Sequence, residues 1–280
     1  MDVHEAAELG HRNLIDYSRT LTGWGSRGSF HQDADMLLYA SGSWLPVGGN
    51  GAFALHAGSS PSRLIEAADE FFGRLGRGYS IKVRDDGRDE DLRAACEAAG
   101  LSAFGQASPQ MVCFDPVADP EPPLGADVSV RRVDDARGLA DFVAVNREAY
   151  ATYGMPADVL PAIFDRPEVV LADDRTFLVV VAVDGRPMAA ALTYVDHGVG
   201  GVQWVGTVPE ARHRRLGHAV TQWTTNVALA HGAAASTLQA SPMGESLYLK
   251  LGYTTAYRYV EYIRWRTSGA GSGVAPTLKE

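Results

Sequence analysis

The chain has 280 residues, of which 46% are hydrophobic and 21% charged, and its net charge is -9 at pH 7. This length favours two packed domains, and the acidic balance argues against a nucleic-acid-binding protein, which needs a basic surface. The sequence begins without an apolar signal region and contains no apolar run of membrane-spanning length, so we expect a cytoplasmic protein with no membrane partner.

The first 115 residues predict a mixed domain of helices and short strands. Apolar residues at helical spacing occur in 3–21, 62–75 and 89–99, and strand-like runs occur in 36–40, 52–55, 80–83 and 110–114. Cys96 lies in this half, and Cys113 lies near its end. Two isolated cysteines without metal-ligand spacing predict buried, reduced side chains. The eight histidines show no such spacing either, so we expect no metal.

Residues 116–125 contain four prolines, which favour an extended linker. We therefore predict an N-terminal domain over 1–115 and a C-terminal domain over 126–266. The last fourteen residues, 267–280, are small and polar, and we expect them to be disordered.

The C-terminal half predicts the element order βααβββαβαβ. Its strands fall in 128–132, 177–183, 188–195, 202–208, 237–240 and 255–265, and its helices in 134–150, 156–164, 215–231 and 244–251. Asp184-Gly185 predicts a two-residue hairpin, and Gly252 is a suitable residue to end a helix. A helix–glycine–strand pattern recurs in 95–101 and 248–253, so the N-terminal half is interpreted as a diverged copy of the same fold.

The most informative stretch follows the strand in 202–208. After Pro209 the chain forms a basic loop, and Arg214-Arg215-Leu216-Gly217-His218-Ala219 begins the longest helix of this half. Backbone N–H groups at a helix start are unpaired, and the helix dipole favours negative charge there. A strand, a basic loop and a helix N-terminus together predict a site for phosphate groups.

Residues 126–265 resemble the GNAT superfamily of acyl-CoA-dependent N-acyltransferases. The family signature, Gln/Arg-x-x-Gly-x-Gly/Ala, falls on residues 214–219 and matches at every specified position. The resemblance implies a tandem GNAT-like α/β fold, each half a mixed, mostly antiparallel sheet flanked by helices. It also implies acetyl-CoA as co-substrate. The predicted cofactor-binding residues are Val205, Thr207, Arg212, His213, Arg214, Arg215, Leu216, Gly217, His218, Ala219 and Ser241.

Several of these residues have more specific expected roles. Many relatives carry glycines where this chain has His213 and Arg215, and we expect Arg215 to be already helical. Ser241 is interpreted as the N-cap of the next helix, although it could also contact the pantetheine arm. The resemblance assigns the backbone of Val205 and Thr207 to that arm, at a gap between the fourth and fifth strands of the domain.

Tyr248 stands four residues before the helix-ending Gly252, where the family often has the acid that protonates the departing thiolate. It could equally be a core aromatic residue. The resemblance points to the acceptor pocket at Asn146, Tyr150 and Tyr153, which could also be ordinary packing between helices.

No general base is evident. Five residues could serve, and none has a supporting motif: Glu148, Asp196, His197, Glu210 and Glu245. The leading hypothesis is direct acetyl transfer from acetyl-CoA to a primary amine of a small molecule, by a monomer or homodimer. The alternatives are a non-catalytic coenzyme A sensor and a protein N-terminal or lysine acetyltransferase.

Overall fold

The computed structural model describes residues 1–266, so the predicted disordered tail lies outside the described residues. The N-terminal half contains α1 (Val3–Trp24), β1 (Ser29–Gln32), β2 (Met36–Ala40), β3 (Asn50–Ala54), α2 (Pro61–Leu75), β4 (Tyr79–Arg84), α3 (Glu90–Ala98) and β5 (Ser102–Cys113). The C-terminal half contains β6 (Val128–Val133), α4 (Ala136–Ala151), α5 (Val159–Ile163), α6 (Pro167–Ala172), β7 (Thr176–Val183), β8 (Arg186–Asp196), β9 (Val199–Thr207), α7 (Leu216–Ala230), β10 (Ala235–Gln239), α8 (Glu245–Lys250) and β11 (Thr254–Arg264).

Three elements differ from the sequence-based prediction. β1 and α6 were not predicted, and β5 is twelve residues long where only its last third was expected. The signals in these segments are weak: α6 buries only Val170, and the first part of β5 is largely exposed and contains Gly105. The C-terminal half therefore has the order βαααβββαβαβ.

The eleven strands of the described residues form one sheet, in the order β1-β2-β3-β4-β11-β5-β10-β9-β8-β7-β6. The two halves exchange strands at its centre. β11, from the C-terminal half, pairs antiparallel with β4 on one side and β5 on the other. β5, from the N-terminal half, lies between β11 and β10 and is antiparallel to both.

The same topology occurs on each side of this central pair. β3 and β4 are parallel and are connected by α2, and β9 and β10 are parallel and are connected by α7. A short helix then leads to the exchanged strand in each half, α3 to β5 and α8 to β11. The predicted fold class, a mixed sheet flanked by helices, is confirmed. The predicted boundaries between two domains stay a prediction. The exchanged strands β5 and β11 each pair with strands from the other half, so the sheet itself has no break at these boundaries.

Strand β2 shows how the interior of the sheet is buried on both faces. In β2 the side chains alternate, with Met36 and Leu38 in the cluster formed with α2 and α3, and Leu37 and Tyr39 in the cluster that includes α1. A strand with both faces covered needs a continuous apolar sequence, which 36–40 has. Both cysteines are buried and unpaired, as expected.

Helix α1 connects the two halves by packing on strands of both. The amide Nδ2 of its buried Asn13 donates to the carbonyl oxygens of Tyr194 at 2.9 Å, Asp196 at 3.2 Å and Val199 at 3.3 Å, at the β8–β9 hairpin. A methyl group on Gly201 would lie 2.2 Å from Oδ1 of Asn13, so this close approach requires glycine.

Turn and helix-end predictions are borne out by the backbone. Asp184 and Gly185 both have positive φ, 49° and 75°, which is the geometry of a type I′ hairpin turn. Gly252 ends α8 with φ of 90°. No helix among residues 1–266 combines the length and the apolarity that a membrane crossing would need.

A polar network joins α1 to the exchanged strand. Nδ1 of His11 lies 2.8 Å from Oη of Tyr259, which lies 3.0 Å from Oη of Tyr257, and the guanidinium of Arg84 lies 3.8 Å from the centre of the Tyr257 ring. Burial, together with the charge of Arg84, lowers the pKa of His11 from 6.5 to about 4.

This pKa shift predicts a loss of stability in acid. The unfolded chain binds a proton at His11 below about pH 6.5, whereas the folded chain binds it only near pH 4, so stability falls across that window by at most about 3 kcal/mol. Urea unfolding at about pH 7 and about pH 4.5 should show a loss about 2 kcal/mol larger for the wild type than for His11→Gln. The exposed His4, on the same helix, provides the control: His4→Gln should behave like the wild type, and equal losses in all three proteins would contradict the assignment.

Candidate functional site

The site is organised by the separation of two parallel strands. Pairing between β9 and β10 ends at Val202 and Leu238, although β9 continues to Thr207. On its other side β9 carries a bulge, because its register with β8 shifts between the Ala190 and Leu192 positions. Trp204 lies at this bulge with φ of 54°, a strained conformation for a bulky residue. The bulge bends β9 and leaves an opening beside β10.

A cavity of about 1160 Å³ extends from this opening. One end is lined by the loop after Pro209, the start of α7 and the segment that leads into α8. The other end is lined by α1, β2, β4 and β5 of the N-terminal half and by β11. The cavity therefore needs both halves of the chain.

Helix α7 presents a free N-terminus to this cavity. The N–H groups of residues 215–218 donate to no group within residues 1–266, and the N-cap residue, Arg215, makes no side-chain capping bond. His213 and Arg215 have φ of 62° and 61°. The expectation that Arg215 is helical is therefore wrong. Alternating left-handed residues turn successive N–H groups toward one side, which forms an anion-binding concavity.

The three arginines of the loop have different surroundings. Arg212 donates to Oγ1 of Thr152 at 2.8 Å, and Arg214 pairs with Asp127 at 3.1 Å outside the cavity. Arg215 lines the cavity and makes no ion pair within residues 1–266. Arg212 also lines the cavity without an ion pair within residues 1–266, so the charges of Arg212 and Arg215 are available to a ligand, and Arg215 is the one with no hydrogen bond to another side chain.

Gly217 leaves room beside this helix start. A methyl group here would lie 3.4 Å from Cδ2 of Leu247 and 3.7 Å from Oγ1 of Thr207, which are ordinary contacts. All three residues line the cavity. The fold itself thus accepts a side chain at 217, and glycine keeps that volume free for a ligand that approaches the backbone.

Tyr248 faces the same cavity from α8. Its side chain is buried, its ring packs edge-on against Tyr253 at 5.9 Å, and its hydroxyl has no hydrogen-bond partner within residues 1–266. Burial raises the pKa of Tyr248 well above its usual value. The phenol is thus protonated at neutral pH, and it is its unengaged position at the cavity wall that makes the proton available to a ligand.

The corresponding helix start in the N-terminal half, at α2, is closed to anions. Ser60 caps it through a 3.4 Å bond from the N–H of Arg63, and Pro61 supplies no N–H group. Arg63 itself is held by Asp33 at 2.8 Å and Asp35 at 2.5 Å. Two carboxylates beside a capped helix start leave no phosphate site there.

Comparison with known proteins gives the identity of the C-terminal half. Residues 124–238 match the family model described as an acetyltransferase (GNAT) domain. This part of the chain is a GNAT acetyltransferase domain. Proteins of this family transfer acyl groups and generally use acetyl-CoA as the donor. The family resemblance that was inferred from residues 214–219 is confirmed. A search of curated proteins finds no match.

Solved structures share the fold over both halves. A GCN5-related N-acetyltransferase from Kribbella flavida is 17% identical with a TM-score of 0.64, and the match covers 94% of this chain and 96% of that one. A tandem GNAT protein from the clavulanic acid biosynthesis pathway is 15% identical with a TM-score of 0.59, covering 89% and 86%. A GCN5-related N-acetyltransferase from Sphaerobacter thermophilus is 14% identical with a TM-score of 0.57, covering 84% and 82%.

The predicted acceptor residues of the GNAT domain divide into two groups. Tyr150 and Tyr153 line the cavity, and the ring of Tyr150 lies 5.5 Å from that of Trp204. Asn146 does not line it, which contradicts the prediction. Its side chain is fully buried, bonds the carbonyl of Phe142 at 3.2 Å and packs on Gly206.

The predicted cofactor residues outside the loop need one correction. Val205 and Thr207 line the cavity beyond the last β9–β10 pair, and Oη of Tyr150 donates to the carbonyl of Val205 at 3.4 Å. Ser241 also lines the cavity, but it does not cap α8. Its hydroxyl accepts from the N–H of Gly244 at 3.2 Å, and Gly244 is the N-cap.

None of the five candidate bases lines the cavity. Four of them form ion pairs elsewhere: Glu245 with Arg258 at 2.6 Å, Glu210 with Arg186 at 2.6 Å, Asp196 with Arg175 at 3.0 Å, and His197 with Asp16 at 2.5 Å. The fifth, Glu148, lies beside Glu210. Partial burial, and secondly the proximity of Glu210, raise the pKa of Glu148.

Sequence reasoning missed the residues that the N-terminal half contributes. Tyr17 accepts a 2.6 Å hydrogen bond from the indole N–H of Trp204, and Tyr39 lies nearby on the same cavity wall. Lys82 and Glu261 complete this wall. No local signal marks these positions, because they lie on four different elements, α1, β2, β4 and β11, that meet only in the folded chain.

Proposed function

We propose that the chain is an acetyl-CoA-dependent N-acetyltransferase that acetylates a primary amine of a small molecule. The observation that carries this proposal is the open start of α7, with four free N–H groups at one end of a cavity that enters the sheet between β9 and β10. We further propose two GNAT-like halves, 1–115 and 126–266. The N-terminal half supplies most of the acceptor wall, by which we mean the part of the cavity lining that contains Tyr17, Tyr39, Lys82 and Glu261.

The α7 end of the cavity fits the pyrophosphate of coenzyme A. The N–H groups of residues 215–218 would donate to phosphate oxygens, and the guanidinium of Arg215 would add a charge-assisted contact. The space beside Gly217 allows a phosphate to approach the backbone. His218 contributes through its backbone, since its Nε2 lies 2.8 Å from the carbonyl oxygen of Ala118.

The opening between the strands fits the pantetheine arm and the acyl group. Beyond Val202 the edge of β9 that faces β10 pairs with no strand from residues 1–266, so its backbone groups can pair with the amides of the arm. N–H groups of this edge would also donate to the negative charge that develops on the thioester oxygen.

Bound acetyl-CoA supplies an activated acyl group in the form of a thioester. The chain's part is to orient the amine, to exclude water and to deliver a proton to the departing sulfur. Tyr248 is suited to the last of these, because it is buried at the cavity wall and its hydroxyl proton is not engaged by another residue within 1–266.

A second function is favoured by one observation. Since none of the five predicted bases lines the cavity, the chain could bind coenzyme A without turnover, as a sensor. The acceptor must then be tested directly, with small amines and with peptides that carry a free N-terminus or a lysine.

Thermal unfolding and thiol release separate these functions. Acetyl-CoA and coenzyme A should each raise the melting temperature, and thiol release should require a small amine. Stabilisation without turnover by any acceptor would favour the sensor, and turnover of peptides alone would favour protein acetylation. No stabilisation at millimolar ligand would remove the coenzyme A assignment.

Arg215→Gln should weaken coenzyme A binding about tenfold, the loss of about one charge-assisted contact. Arg214→Gln is the matched control, because the two arginines are adjacent but Arg214 is already paired with Asp127. It should change the dissociation constant less than about twofold. Titration calorimetry measures both, and equal effects would show that the loop acts only through its overall charge.

Tyr248→Phe should lower kcat about 100-fold while leaving the KM for acetyl-CoA nearly unchanged, since it removes a proton donor but keeps the packed ring. Tyr253→Phe is the control on the same aromatic pair, because its hydroxyl bonds Thr225 at 2.6 Å and Ser236 at 2.8 Å in the core. Full turnover by Tyr248→Phe would remove the acid role.

A further inference from the structure

The acceptor end of the cavity contains one ion pair formed across the exchanged strands. Lys82 on β4 and Glu261 on β11 are directly opposite in the antiparallel register, with Nζ and Oε1 3.3 Å apart. Both line the cavity, and their side chains are only 21% and 17% exposed. The pair is therefore partly desolvated.

Neither charge is fully satisfied. Within residues 1–266 their mutual contact is the only hydrogen bond that either side chain makes. An ammonium has three N–H donors and a carboxylate has two acceptor oxygens, so both retain bonding capacity. This remaining capacity faces the cavity, where a ligand with complementary charges can use it.

The surrounding wall is aromatic and aliphatic, from Tyr17, Tyr39, Leu45, Val47 and Trp204. Two other carboxylates line the cavity, Asp119 and Glu121, and both belong to the linker. Asp119 accepts from Nε2 of Gln222 on α7 at 2.6 Å, which places it toward the phosphate end. Glu121 is exposed and lies outside the sheet, two residues after Asp119, so Glu261 is the one of these three carboxylates that a strand carries into the cavity wall.

The arrangement of charges distinguishes between ligand classes. A ligand with only a positive charge would be attracted by Glu261 and repelled by Lys82. A ligand with only a negative charge would be attracted by Lys82 and repelled by Glu261. Each such interaction is stronger in a partly desolvated site than it would be in bulk water. A ligand that carries both charges a few bonds apart gains from both residues.

We propose that the acceptor is an amino acid or a similar zwitterion, whose carboxylate binds Lys82, whose ammonium group binds Glu261, and whose apolar part lies against the aromatic wall. This substrate class rests on the proposed N-acetyltransferase function. The proposal concerns binding, so it can be tested without turnover.

The binding test uses matched sets of ligands with coenzyme A present. Phenylalanine carries both charges, 2-phenylethylamine the positive one and 3-phenylpropanoate the negative one. Leucine, 3-methylbutylamine and 4-methylpentanoate form a second set of the same kind. In at least one set the amino acid should bind about tenfold more tightly than its decarboxylated amine. Equal or weaker binding of the amino acid in every set overturns the proposal.

Charge reversal separates recognition from a structural role. The double variant K82E/E261K keeps an ion pair between the same two strands but reverses its direction. If the pair only holds β4 to β11, the reversed pair should restore both stability and binding. We expect the melting temperature to recover and the preference for the zwitterion to fall about tenfold. Recovery of the preference as well would overturn the proposal.

The single variants K82M and E261Q, with E70R/R74E as a control, complete the design. Glu70 and Arg74 form an exposed pair on α2 and do not line the cavity. K82M should weaken binding of the amino acid about tenfold and leave that of its decarboxylated amine unchanged or improved. If coenzyme A binds and simple amines are acetylated without any preference for zwitterions, the substrate class fails alone. If neither coenzyme A nor acetyl-CoA binds, the proposed function fails.

Discussion

β11 is the element on which the rest of the architecture depends. It belongs to the C-terminal half, yet both of its neighbours, β4 and β5, come from the N-terminal half. In return β5 is held between β11 and β10. Each half thus completes the sheet of the other, and neither could bury its central strands alone. The cavity lies beside this exchange, so its walls inherit residues from both halves.

Local strain is concentrated where the cavity meets the backbone. Trp204, His213 and Arg215 have left-handed backbone conformations that cost about 1–2 kcal/mol each. The surrounding structure holds Trp204 in place, through its hydrogen bond to Tyr17 and its ring contact with Tyr150. Helix α1 thereby supports the bulge that opens β9, and the N-terminal half helps to shape the proposed donor channel.

Elements with strong local signals could be predicted from the sequence. The type I′ turn at Asp184-Gly185, the glycine at 252 and the helix start at residues 214–219 each depend on residues that are adjacent in the chain. The left-handed conformations of His213 and Arg215 could not be predicted, because histidine and arginine rarely adopt positive φ and their identity gives no sign of it. Asn146 has the polarity of a binding residue, yet it packs against Gly206, and only the tertiary contact shows this.

The acceptor wall was beyond local reasoning for a different reason. Lys82 and Glu261 are 179 positions apart and become neighbours through strand exchange, which no periodicity indicates. Their pairing requires that each half give up its last strand to the other, and a sequence shows only which segments can form strands, not their partners.

The helices that connect the two parallel strand pairs, α7 and α2, have different N-termini. At α7 the helix start is uncapped and faces the cavity, whereas at α2 it is capped by Ser60 and its arginine is neutralised by Asp33 and Asp35. A second phosphate site is therefore absent from the described N-terminal half, although its strands repeat the same order. In this half, β2 and β4 contribute Tyr39 and Lys82 to the wall of the cavity away from α7. The asymmetry between the two helix starts thus accounts for the two chemically different ends of this cavity.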